Sequence, residues 1–337
     1  MLDEPLVSIC IPTYNRAWMV GRAIGSALGQ TYRNIEVIVV DNASTDATDE
    51  VVAAFSDKRL KYVKNDRNLG LFGNFNRCIE LAQGEFIHIL HSDDYIDPEF
   101  TQTSIRFFLN HPNVALTFTS AKIQSGTNET DISYSDKDEI FYAPEGFRRV
   151  LTERPFIICP SVMMKRSVYE ECGNYSLEFP YSSDLNQWLK VTRGHDIGFI
   201  RNAWLFYRQG EHSESYRQLF TNVTGYLDTL KIYANLINTL GNDRISFNEE
   251  LNISFRRLTL DCLFAGFTRC DIADGFNPSF FTGLALTSWG MVKPSSVTGW
   301  ILQAGRLLVI LVNGCVIGIP FMRRIVKRLL LARSSYY

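Results

Sequence analysis

Four short apolar runs, each ending in polar residues and each separated from the next by a segment of helical spacing, most constrain what this 337-residue chain can become. Residues 6–11 (LVSICI) stop at Pro12, Thr13, Tyr14 and Asn15, and residues 35–40 (IEVIVV) stop at Asp41, Asn42, Ala43, Ser44, Thr45 and Asp46. Residues 60–63 precede a polar, glycine-containing loop over 65–73, and Phe86, Ile87, Ile89 and Leu90 give way to His91, Ser92, Asp93 and Asp94. Between the runs, residues 17–29 put Val20, Ala23, Ile24, Ala27 and Leu28 on one face, a second helix ends near Phe55, and a third over 75–82 stops at Gly84. Strand alternating with helix in this way predicts an α/β fold with a mostly parallel sheet and right-handed crossovers. In such open sheets ligands bind beyond the carboxyl ends of the strands, which is where all four polar clusters fall.

Composition narrows the partners. A net charge of -2 leaves no basic excess for nucleic acid, and 46% hydrophobic residues describe a globular chain. The 7 cysteines show no CxxC pair, so neither a zinc site nor a disulfide framework is expected and a reducing compartment fits. Residues 1–5 leave no room for a secretory signal before the first strand, which makes the sequons at Asn42, Asn128, Asn222 and Asn252 incidental.

The clusters suggest a chemistry. Tyr14 offers a flat face for a base, Asp41 an acceptor for a base edge or ribose hydroxyl, and Asp93 and Asp94 hard oxygen ligands for Mg2+ or Mn2+. Two adjacent carboxylates on a turn repel unless water, a base or a metal compensates; the alternative is an Asp-rich turn leading into the helix near Pro98. Neither GxGxxG nor GxxxxGK[ST] is present, so phosphates must be held by other means, for which a metal is the natural substitute.

PTYN at 12–15, DNASTD at 41–46, NLGLFGNFNRCIELAQGEFIHILHSDD at 68–94 and SSDLNQWL at 182–189 together resemble a family 2 inverting glycosyltransferase. The resemblance implies a GT-A, Rossmann-like sheet flanked by helices, with nucleotide-binding residues at Pro12, Thr13, Tyr14, Asn15, Asp41, Asn68, Ser92, Asp93 and Arg208. By the same resemblance Asp93 takes the place of the last acid of the family's DxD and ligates Mn2+ or Mg2+. His91 replaces the first acid, which leaves His91 and Asp94 as donor contacts. Relatives place an RxH-like segment beside the metal, which brings in His212 with Arg208 (YRQGEHSES).

Asp184 has two readings from sequence, a helix N-cap or a general base. The resemblance favours the base, with Ser183 in place of the usual preceding Glu. Elsewhere, residues 98–109 are expected to be helical and 114–120 and 156–164 to be strands, with Pro160 interrupting the latter. A polar hairpin or loop is expected over 123–142, closing strands over 196–199 and 204–207, and helices over 166–172, 226–240 and 251–267. Residues 307–321 (LLVILVNGCVIGIPF) carry no charge and precede Arg323, Arg324, Lys327, Arg328 and Arg333. Too short to span a bilayer, they read as an interfacial anchor or a buried helix contact.

The expectation is a transferase domain over 1–215 and a C-terminal helical region over 216–337. It moves a sugar from a nucleotide-diphosphate sugar to a glycan or lipid-linked glycan at the cytoplasmic face of the inner membrane. A sugar-nucleotide pyrophosphorylase and a non-catalytic carbohydrate-binding protein of the same fold are the alternatives.

Overall fold

The computed structural model describes residues 4–153, 156–210, 213 and 224–269. His212 and the apolar run over 307–321 lie outside them. The chain divides into two compact units, Met1–Arg217 and Gln218–Tyr337.

In the first unit, β1 (Val7–Thr13), β2 (Ile35–Asp41), β3 (Leu60–Lys64) and β4 (Phe86–Ile89) alternate with α1 (Ala17–Leu28), α2 (Thr48–Ala53) and α3 (Leu71–Leu81). Then come β5 (Tyr95–Ile96), α4 (Phe100–Asn110), β6 (Val114–Ser125), β7 (Asn128–Ile132), β8 (Glu139–Phe141) and α5 (Glu145–Thr152). β9 (Met163–Lys165), α6 (Arg166–Cys172), α7 (Ser183–Gly194) and β10 (Asp196–Gln209) complete it. The described strands form one 10-stranded sheet in the order β3-β2-β1-β4-β9-β6-β10-β5, with β7 on β6 and β8 on β10. β3, β2, β1 and β4 pair in parallel, as do β6 and β10. β9 lies antiparallel between β4 and β6, so β4 and β6 also point the same way. The α/β expectation holds.

Burial explains the sequence pattern. Every residue of β1 and β2 is buried, because helices cover both faces of a parallel sheet. α1 turns Met19, Val20, Ala23, Ile24 and Ala27 inward. Each fully buried Val or Ile contributes roughly 1.5–3 kcal/mol relative to exposure. Gly84 is required by close approach: a Cβ there would lie 2.6 Å from the Ser8 nitrogen and 2.7 Å from the Leu6 oxygen, both on the β1 backbone side.

Three local expectations are corrected. The apolar run 156–164 is not a strand; Cys159–Ser161 forms a 3-10 turn and pairing begins at Met163. Pro160 has no N–H to give a ladder, which accounts for the change. The closing strands are one, β10, with a register shift between Ile200 and Trp204. The strand expected over 114–120 runs on to Ser125 as β6, and there it turns into β7 in the hairpin expected of the polar insertion.

The second unit contains α8 (Thr224–Leu240), a 3-10 segment (Gly241–Phe247) and α9 (Asn248–Arg269). Tyr233 of α8 and Phe255 of α9 meet edge to face at 5.3 Å. No described helix is long and apolar enough to cross a membrane.

Candidate active site

The loops after β1 and β2 are stitched together. Asn15 adopts φ 51° and its Oδ1 accepts the Thr45 N–H at 2.8 Å, while its own N–H donates to Ser44 Oγ at 2.9 Å. The Ala17 N–H, at the exposed start of α1, donates to Asp46 Oδ2 at 3.0 Å. Ala43 holds φ 64°, a left-handed conformation that a non-glycine residue keeps only when its surroundings enforce it. Pro12 and Thr13 are buried, the Thr13 hydroxyl has no partner, and Tyr14 is 44% exposed, so an aromatic face is open to solvent beside an unsatisfied hydroxyl.

Asp41 is fully buried. Its Oδ1 accepts the Ser44 N–H at 2.8 Å, and its Oδ2 accepts the Tyr62 hydroxyl at 2.6 Å, with Lys64 Nζ at 3.9 Å. Both oxygens are engaged within the protein, so Asp41 shapes the 42–46 loop, and direct contact with a nucleoside requires one of these bonds to be shared. Sequence reasoning missed its neighbour. The Asn42 amide nitrogen donates to Asn68 Oδ1 at 2.8 Å and to the Gly70 oxygen at 3.2 Å, while Asn42 Oδ1 accepts the Leu69 N–H and Asn65 Nδ2. Asn65 passes on to Asn74 Oδ1, and Asn74 donates to the Val40 oxygen. The clue was present as five asparagines at 42, 65, 68, 74 and 76, but nothing local says which of them meet.

At the end of β4 the chain turns through His91, Ser92, Asp93 and Asp94, and the Asp94 N–H donates to the His91 oxygen at 3.0 Å. His91, Asp93 and Asp94 each offer a ligand atom, and these atoms lie within 4.8 Å of one another. Ser92 is buried among them. Asp94 is fully buried: its Oδ1 accepts the Arg208 N–H at 2.9 Å, but its Oδ2 has no hydrogen-bond partner and sits 3.8 Å from His91 Nδ1. His91 Nε2 is also buried without a partner. Burial, reinforced by the charge of Asp93, pushes the Asp94 carboxyl well above the usual carboxylate range. Burial likewise pushes the His91 imidazole down towards its neutral form, against the opposing pull of Asp93. The 3.8 Å contact is therefore not a formed ion pair, and Arg208 is the cation that acts on the two acids. Oxygen donors with a neutral imidazole and orphaned buried atoms fit a hard divalent cation. This set differs from the expected one, which paired Asp93 with His212 and left His91 and Asp94 to the donor.

Arg208 fixes the turn from β10. Its Nε donates to the Asp93 backbone oxygen, and a terminal nitrogen reaches the Met19 oxygen at 3.5 Å. Burial is the first cause lowering its pKa, with the charges of Asp94 and Asp93 working against it. Tyr95 stacks on Phe206 at 4.4 Å, with the Arg22 guanidinium 3.5 Å from the Tyr95 ring centre. Within β4 itself, His88 Nε2 donates to the Pro160 oxygen at 3.1 Å, tying the strand to the 159–161 turn.

Asp184 is the second residue of α7 and partly exposed; Ser182 takes the cap position, so Asp184 is not the N-cap. Its Oδ1 accepts the Leu185 N–H at 2.8 Å. Four residues on, Trp188 lies on the same face of the helix. A line of rings leads from it to the acids: Trp188 to Tyr175 at 6.3 Å, Tyr175 to Phe75 at 5.6 Å, Phe75 to His91 at 5.4 Å. Asn68 is exposed at the other end of α3, with its Oδ1 taken by Asn42 and the Gly70 N–H.

The family 2 glycosyl transferase profile matches residues 8–173. The UDP-Glc:alpha-D-GlcNAc-diphosphoundecaprenol beta-1,3-glucosyltransferase WfaP of Escherichia coli is 30% identical over 188 residues, which are 55% of this chain and 70% of that protein. WfgD of Escherichia coli, which carries the same enzyme description, is 29% identical over 224 residues, 65% of this chain and 84% of its own length. Among solved structures, S. aureus TarS 1-349 in complex with UDP-GlcNAc superposes with a TM-score of 0.57 and 18% identity, covering 84% of this chain and 88% of that one, a likeness of fold. The chain therefore belongs to glycosyl transferase family 2, and it is a glycosyltransferase.

Proposed function

We propose that the protein moves a sugar from a nucleotide-diphosphate sugar to a hydroxyl of a glycan or lipid-linked glycan in bacterial polysaccharide assembly, with inversion at the anomeric carbon. The observation that carries this reading is the cluster of His91, Asp93 and Asp94 at the carboxyl end of β4, joined by a line of ring contacts to Trp188 of α7, the helix that bears Asp184. The donor class is supported by TarS, crystallised with UDP-GlcNAc, and the acceptor class by the diphosphoundecaprenol named for WfaP and WfgD.

In this reading His91, Asp93 and Asp94 hold Mn2+ or Mg2+, which supplies positive charge for the leaving diphosphate. Tyr14 stacks on the base, with Thr13, Asn15 and Asn68 beside the nucleoside. Arg208 keeps the acid turn in place and adds a cation on the phosphate side, with Ser92 beside the nucleotide. Asp184 accepts the proton of the acceptor hydroxyl as the new C–O bond forms and the bond to the diphosphate breaks. Held in line, the two partners react in one displacement, and no covalent enzyme intermediate is required. Residues 1–215 serve as the transferase domain. The apolar and basic tail places the protein peripherally at the cytoplasmic face of the membrane, where a lipid-linked acceptor is met.

The test is Asp184→Asn. It should bind UDP and UDP-sugar as before while turnover drops by about 10²–10⁴, the usual contribution of a positioned base. Undiminished release of UDP by this variant would overturn the assignment.

A further inference from the structure

Tyr95 follows Asp94 in the chain, so the backbone ties its ring to the acid turn. Three further contacts hold the ring still. Tyr95 of β5 is the cross-strand partner of Phe206 on β10, and the two rings stack at 4.4 Å with 5° between their planes. Gln124 of β6 meets the Tyr95 hydroxyl with both amide atoms, at 3.1 and 2.9 Å, and passes on to Glu129 of β7 at 2.8 Å. The Arg22 guanidinium stands 3.5 Å from the ring centre. A group that close cannot share the face covered by Phe206, so it takes the opposite one.

A second guanidinium comes to the same ring. Arg208 lies 6.0 Å from its centre, donates through Nε to the Asp93 backbone oxygen and reaches the oxygen of Met19, three residues before Arg22 on α1. Two like charges gathered on one ring repel, and an acid between them would be the ordinary remedy. Arg22 is given none: among the described residues its exposed side chain has neither an ion pair nor a hydrogen bond, although the ring holds it in place. Glu129, at the end of the Gln124 contacts, is already taken by Lys122 at 3.5 Å. Stacking uses the flat of a guanidinium and leaves the N–H groups along its edge to donate.

We infer that Arg22, presented on Tyr95 next to Arg208, binds a diphosphate group at the rim of the acid turn. This rests on the glycosyl-transfer reading above, which brings diphosphates to that turn from two sources, the nucleotide-sugar donor and a lipid-linked acceptor. A guanidinium edge matches two phosphate oxygens at once, and a diphosphate is large enough to be shared by neighbouring cations. Neutral sugar hydroxyls give no reason to assemble two positive charges; a dianion does. Arg22 acts here as a binding residue and takes no part in proton transfer.

The test uses the full chain with Mn2+ and the variants Arg22→Met and Arg22→Lys. Arg22 is exposed on a helix and Met is as good a helix former, so melting curves should match the parent. Two probes carry the diphosphate, UDP and a polyprenyl diphosphate in detergent, and each has a control without it, uridine and the free polyprenol. Arg22→Met should weaken one or both diphosphates by about tenfold, the low end for a hydrogen bond to a charged group, and leave both controls unchanged. A loss confined to UDP assigns the site to the donor, and a loss confined to the polyprenyl diphosphate assigns it to the acceptor. Arg22→Lys, which keeps the charge but not the fork, should fall between parent and Arg22→Met. The gap between parent and Arg22→Met should close as ionic strength rises from about 0.15 M to about 1 M, a response that a purely packing role for Arg22 would not give. An Arg22→Met protein that binds both diphosphates as the parent does overturns the inference while leaving sugar transfer intact. A parent that binds no UDP refutes the transfer reading instead, and the polyprenyl diphosphate arm then decides Arg22 by itself.

Discussion

Replacing Asn42 by Ala removes four side-chain hydrogen bonds that no local sequence signal announces. Asn42 is 4% exposed, and its amide joins Asn68 Oδ1 at 2.8 Å, the Gly70 oxygen at 3.2 Å, the Leu69 N–H at 2.8 Å and Asn65 Nδ2 at 3.2 Å. A neutral hydrogen bond contributes about 0.5–1.5 kcal/mol net. Asn68, Leu69 and Gly70 are exposed and would be rehydrated, which puts their bonds near the low end. The sum is about 2–3 kcal/mol, or a drop in Tm of about 4–12 °C for a unit of this size. Asn42→Asp is the sharper variant. It keeps the acceptor for Leu69 and Asn65 but sets a carboxylate against the Asn68 and Gly70 oxygens, so it should cost at least as much as Ala. Both variants loosen the 65–70 loop, and the affinity for UDP should fall by about 5- to 30-fold, the equivalent of one to two kcal/mol. Calorimetric melting and titration with UDP read the two effects. A double-mutant cycle with Asn68→Ala should give a coupling of about 0.5 kcal/mol or more. Full additivity in that cycle, or an Asn42→Asp protein as stable as the parent, would refute the reasoning.

Two further outcomes are expected. Glu36 is 5% exposed, and burial alone would raise its pKa, but bonds from Lys61 and Ser8 and from the Gln83 N–H hold it below its ordinary 4.5. A lowered carboxylate stabilises the fold fully above pH 4.5, and that stability disappears as pH falls through the lower folded-state value. Glu36→Gln should therefore cost about 2–3 kcal/mol near neutrality in urea unfolding and nothing in strong acid; a gap that persists undiminished in acid would contradict this. Chelation with EDTA should abolish sugar transfer and Mn2+ or Mg2+ restore it, while Asp94→Ala raises the Mn2+ needed for half-activation by about 10- to 100-fold. Unchanged metal dependence in Asp94→Ala would remove that residue from the cation site.

What the sequence reveals and what it hides divide along physical lines. β1 and β2 are legible because both faces are covered and their interiors are apolar apart from the bonded pair Ser8 and Glu36, and each polar cluster is legible because it begins where the apolar run ends. The reversal of β9 between β4 and β6 is not, since strand direction is settled by partners far away in the chain; the run 156–164 looks like any other buried strand until Pro160 is asked for a donor it lacks. The same holds for polar residues. An Asp after a strand can face a ligand or a loop, and Asp41 turned out to be fully buried with both oxygens engaged, a fact that depends on Tyr62 and Ser44. At Asp184 the structure removes the N-cap from the two readings that local patterns leave equal. A helix dipole favours an acid in the first turn by only about 0.3–1 kcal/mol, and any position of that turn would serve. The cap position belongs to Ser182, so capping gives no reason for an acid at 184. What distinguishes 184 from its neighbours is the face it shares with Trp188, at the end of the ring line that starts on His91. On the proposed reading, that face is where an acid meets a substrate held beside His91, Asp93 and Asp94.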